Sequence, residues 1–127
     1  MIAFPAQDRI KLHPLPEEEA GRGLFLTAGK VPVYAQLGER RRVVLDVIPA
    51  GARTDGASIP RLVRPILDPW GRGGLAAVWH DDLLRRPGVP KWEADLLYLY
   101  ALRSLGVPAL QATIMYFAVR LRRPLRI

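Results

Sequence analysis

Three ionisable residues, His80, Asp81 and Asp95, stand in apolar surroundings, and their types and spacing could support hydrolysis. A histidine oriented by a buried carboxylate is the base half of many hydrolytic sites, because the acid fixes the tautomer and stabilises the imidazolium. His80 is the candidate general base and Asp95 its orienter. Asp81, alone or with Asp55, could hold a hard divalent cation such as calcium and polarise a carbonyl or phosphoryl oxygen. The reaction would be attack by an activated water on an ester, amide or phosphoester. The plainer alternative is a His–Asp hydrogen bond joining two helices, with Asp81 and Asp82 solvated. Ser58 lies in Thr54-Asp-Gly-Ala-Ser-Ile-Pro60, which lacks the strand-elbow-helix setting of a serine nucleophile. Asp55, Gly56, Ser58 and Pro60 read more simply as turn and cap residues, Gly56 supplying a positive φ and Pro60 the first turn of a short helix.

Two helical patterns must position the dyad. Leu75, Val78, Trp79 and Leu83 recur at amphipathic spacing and carry His80 at the edge of their stripe. Lys91 to Leu105 is a second pattern, in which Asp95 shares a stripe with Trp92, Leu99 and Leu102. A carboxylate among packed side chains is costly unless paired, so Asp95 is expected to meet His80 on the neighbouring helix. Pro87-Gly-Val-Pro90 is a tight connection that makes these helices antiparallel. Gly106 and Pro108 separate a third helix, with Leu110, Ile114, Phe117, Ala118 and Leu121 as its expected core stripe.

Upstream the texture is β. Arg9 to Leu12 alternates like a short strand that His13-Pro-Leu-Pro16 breaks, and Leu24 to Thr27, Val31 to Leu37 and Val43 to Ile48 follow. Pro32 suggests that its strand lies at an edge, since it cannot donate to a ladder. The expected fold is α+β in one domain, residues 1–127. An N-terminal antiparallel meander of three to four strands (8–50) leads through a structured connector (51–74) to three C-terminal helices (75–123) packed on one sheet face. Trp70, Trp79 and Trp92 are expected in the core or lining a groove. Gly71 to Gly74 resembles an anion-binding helix start but reads better as a turn.

Composition narrows the rest. There is no cysteine, so disulfides and thiolate metal sites are excluded. No apolar run spans a bilayer and the N-terminus has no signal-peptide layout, which places the protein in the cytoplasm of the cell that makes it. The net charge of +7 allows polyanionic partners, nucleic acid included. The arginines are scattered, however, without interleaved aromatic platforms.

Ile48-Pro-Ala-Gly-Ala-Arg-Thr-Asp-Gly-Ala-Ser-Ile-Pro-Arg61, Ala77-Val-Trp-His-Asp81, Ala94-Asp95 and Ile114-Met-Tyr-Phe-Ala-Val119 together resemble domain-of-unknown-function family 1353. The likeness covers roughly residues 43 to 120. It implies a small protein of tailed phages or phage-derived regions. Leu84 stands where that family usually has a tyrosine, which implies that a site here could be degenerate. A fainter likeness links His80-Asp81 and Asp95 to phospholipases A2, as an analogy of arrangement only. The leading expectation is a phage-type accessory protein, virion- or tail-associated, that docks to other phage proteins. The alternatives are a small metal-assisted hydrolase of a host envelope component and a basic nucleic-acid-binding protein.

Overall fold

The computed structural model describes residues 2–5, 12–14, 25–27, 29–54 and 74–121. Its order is strands first, helices second: β1 (Ile2–Ala3), β2 (Leu12–Pro14), β3 (Phe25–Thr27), β4 (Val31–Gln36), β5 (Arg42–Ile48) and β6 (Arg53–Thr54), then α1 (Gly74–Arg85), α2 (Lys91–Ser104) and α3 (Ala109–Leu121). This is the α+β arrangement the sequence implies. The strands divide between two three-stranded antiparallel sheets, β1-β4-β5 and β2-β3-β6.

Period-2 alternation builds the main ladder. Val31 pairs with Ile48 and Val33 with Asp46, and Val31, Val33 and Ile48 are buried. The next pair is Tyr34 with Val44, so Leu45 is an extra residue opposite no partner. Such a bulge bends its strand, and Val43, Val44, Leu45 and Val47 stay exposed. Pro32 does not lie on an edge strand: β4 is the central one. It is tolerated because β1 reaches only Ala35 and Tyr34, leaving Pro32 beyond its end.

The first expected strand also moves. The paired residues are Leu12 to Pro14, later than the alternation at Arg9 to Leu12 suggests, and residues 9–11 lie outside those described. Pro14 can end β2 because β2 is the outer strand of its sheet. The Pro49-Ala-Gly51 turn closes through Ala52 N–H to the Pro49 carbonyl at 3.2 Å, with Gly51 at φ 83° as a type II turn requires. It delivers β6, a strand within the span expected as connector.

The helices match their expected spans closely. Gly88 (φ 87°) turns the chain between α1 and α2. At the end of α2, Gly106 N–H bonds the Arg103 carbonyl at 3.1 Å and Val107 N–H bonds that of Leu102 at 3.0 Å. With Gly106 at φ 90°, this is a Schellman stop that also buries Val107. The core gathers Ile2, Phe4 and the inward β4 and β5 residues with Leu75, Val78, Trp79 and Leu83 of α1 and Ala94, Tyr98, Ala101 and Leu102 of α2.

The buried face of α3 is not the expected one. Ala112, Met115 and Val119 face inward, whereas Leu110, Ile114, Phe117 and Leu121 are exposed. The helix is apolar around most of its circumference, so periodicity offers two stripes. Packing selects the one with Ala112 and Val119, whose small side chains allow close approach to α2.

Candidate functional site

α1 and α2 bring together the pair that the helical spacing places side by side. His80 Nε2 lies 2.7 Å from Asp95 Oδ1, with His80 only 2 % exposed and Asp95 0 %. The other carboxylate oxygen is also committed. Asp95 Oδ2 accepts from Lys91 Nζ at 2.6 Å and from Arg120 at 3.1 Å. Lys91 donates as well to the Val119 carbonyl at 2.5 Å, so α2 is tied to α3 at two points, by Lys91 to Val119 and by Arg120 to Asp95. Burial alone would raise the Asp95 pKa. The hydrogen bonds and charges of His80 and Lys91 outweigh it and hold the carboxyl below its ordinary range.

An ionised carboxylate can only accept, so the ring donates Nε2–H to Asp95 Oδ1. The other ring nitrogen, Nδ1, has Asp81 Oδ1 3.8 Å away. The Tyr98 ring lies against the imidazole at 4.8 Å between centroids, and its buried hydroxyl has no hydrogen-bond partner among the described residues. Burial, aided by the charge of Asp81, pushes that hydroxyl well above its usual range and keeps it protonated.

A second polar cluster joins α1 to β5. Asp46 accepts from Trp79 Nε1 at 2.8 Å and from Arg86 at 2.7 Å, while Arg86 also bonds Asp82 and the Val47 carbonyl. Burial opposes ionisation of Asp46, but its bonds to Arg86 and Trp79 prevail and lower its pKa. Asp82 is therefore engaged in a bridge rather than simply solvated.

The remaining candidates divide. Asp55, Gly56, Ser58, Pro60 and Trp70 lie outside the described residues, as does the glycine run up to Gly73; Gly74 opens α1 and is buried. Among the described residues, no group of three or more His, Asp or Glu side chains could hold a metal ion. Trp92 is exposed, not core, while Leu99 and Leu102 do pack inward. Leu84, where the resemblance implies a tyrosine, is exposed, and a phenol beside His80 is supplied by Tyr98 on α2.

The reading of the sequence missed four partners. Lys91 was legible as an i,i+4 neighbour of Asp95, and Arg86 as one of Asp82. Asp46 interrupts a β-branched run and so marks an inward polar position. Arg120 lies 25 residues from Asp95 and has no local signature.

A family model described as a protein of unknown function, DUF1353, matches residues 33–119. The chain belongs to the DUF1353 family. The matched span contains the last four residues of β4, all of β5 and nearly all of the helical layer, with His80, Asp81, Asp95 and Tyr98 inside it. No curated protein and no solved structure matches the chain. Among the described residues no helix is long and apolar enough to cross a membrane.

Proposed function

We propose that this DUF1353 member is a phage-type accessory protein, virion- or tail-associated, that works by docking to partner proteins. The observation that carries this reading is the outward apolar line Leu110, Ile114, Phe117 and Leu121 on α3, reinforced by the exposed valines of β5. The polar centre supports it from the other side. His80 and Asp95 are sealed, and both carboxylate oxygens serve as ties between helices. Phe117→Asp is expected to leave the fold intact and to remove the protein from assembled particles. Absence of the parent protein from purified virions by mass spectrometry would end the virion reading.

A hydrolytic centre is the second reading, favoured by one detail. Asp95 occupies Nε2, which leaves Nδ1 beside Asp81 as the nitrogen that would take a proton from water. This reading requires His80→Ala to fold like the parent and to lose turnover or divalent-ion binding. A lowered melting temperature, with no heat of divalent binding to the parent, removes it. The nucleic-acid alternative is weakened because Arg86 and Arg120 are engaged in internal ion pairs.

A further inference from the structure

The outward line on α3 is more regular than scattered exposure would give. Leu110, Ile114, Phe117 and Leu121 follow one another at steps of four, three and four residues. On an ideal helix they fall within an arc of about 60°, the narrow a/d seam of a coiled coil rather than a broad surface face. They are 74, 39, 56 and 83 % exposed, while Ala112, Met115 and Val119 on the opposite side are buried.

The seam is complementary to itself under a two-fold axis. When two copies of α3 run antiparallel with the axis between Ile114 and Phe117, Leu110 of each faces Leu121 of the other, and Ile114 faces Phe117. The flanking residues obey the same symmetry: Gln111 comes opposite Arg120, and Thr113 opposite Ala118. A parallel arrangement would instead bring the two Arg120 residues together.

Charge discriminates between occupants. The molecule carries +7 overall, yet α3 (Ala109–Leu121) itself holds one charged residue, Arg120, which bonds Asp95. The hydroxyl of Thr113 is likewise spent on the Ala109 carbonyl at 2.8 Å. An anionic partner finds little to bind there, and a second basic copy meets little repulsion. The four side chains offer on the order of 400–500 Å² of apolar surface per copy. Two copies together approach the roughly 1,000 Å² at which specific interfaces begin, before flanking contacts are added.

We infer that the partner for this face is a second copy of the chain, seated through an antiparallel α3–α3 contact. This rests on the docking reading of the same face and names its partner. Because the contact is apolar, it holds or tightens with added salt, opposite to binding of nucleic acid or anionic lipid.

Sedimentation equilibrium on the full chain over about 10–200 μM tests it. A concentration-dependent dimer is expected, no weaker at about 500 mM salt than at about 50 mM. Ile114→Asp and Phe117→Asp, both at exposed positions, should keep the parent's circular dichroism while weakening dimerisation at least about 30-fold. The chain has no cysteine, so single probes are clean. Ile114→Cys mixed with Phe117→Cys should cross-link faster than either variant alone. A parent that stays monomeric throughout, or a dimer untouched by Phe117→Asp, overturns the inference. If the parent is monomeric but Phe117→Asp still abolishes incorporation into particles, self-association fails and the docking reading stands. If the dimer forms and the variant still enters particles, docking through this face fails and the dimer stands.

Discussion

Asp95 is a single buried carboxylate answering three donors, so its loss leaves several charged groups unpaired at once. Asp95→Ala would leave Lys91 and Arg120 facing each other without an anion, a defect worth about 3–5 kcal/mol in buried pairs and nearer the lower end here, because both cations reach water. Arg120→Ala should cost no more than about 1 kcal/mol, since that side chain is over a third exposed and screened. Urea unfolding of the two variants checks the contrast; equal losses would contradict it. Acid stability follows from the same group. The folded pKa of Asp95, like that of Asp46, lies below the ordinary value of 3.8. A depressed carboxylate contributes its stability above the unfolded value, and that stability is lost as pH falls through the folded one. The melting temperature should therefore hold from neutral pH to about 5 and fall steeply below about 4, with a shallower fall in Asp95→Asn. Parallel curves for parent and variant would show that Asp95 is not the group responsible. His80 and Asp95 could be paired from sequence because histidine is scarce and an acid in an apolar stripe demands a partner. Arg120 could not, because nothing local links positions 95 and 120.

The sequence specifies the type of each element better than the face it presents. α1 and α2 emerge from periodicity, proline and glycine, and their mutual contact from the short link between them. α3 does not yield its buried side in this way. Its large residues suggest the core, yet a close approach to α2 needs the small ones, and that approach puts the Val119 carbonyl within reach of Lys91. β2 shifts for a similar reason: its register is set by pairing with β3, which local alternation cannot report. Asp46 is the joint between the two layers. Asp46→Ala would leave the Trp79 N–H without its acceptor and take one of three acceptors from Arg86, and should cost about 1–3 kcal/mol. Asp46→Asn, which keeps an acceptor, should lose less, and denaturant melts giving the two variants equal stability would argue against the joint. At the end of α2, Gly106→Ala should cost about 1 kcal/mol through its positive φ alone. An unchanged midpoint would mean that the Schellman stop is not under that constraint.

For the whole molecule, the division of labour is between an interior that spends its charges on holding helices together and a surface left apolar along α3 and β5. A basic protein that used its charge on nucleic acid would bind DNA with a steep salt dependence. Here little retention on a DNA column is expected at about 150 mM salt, and tight, salt-sensitive retention would reverse that view. The docking role stands only if the polar centre belongs to the fold rather than to catalysis. The most direct measurement of that is a double-mutant cycle in equilibrium unfolding on His80→Gln and Asp95→Asn. Each single variant should be about 1–3 kcal/mol less stable than the parent, with a coupling energy of at least about 1 kcal/mol between them. Variants as stable as the parent, with coupling near zero, would contradict a structural tie between His80 and Asp95.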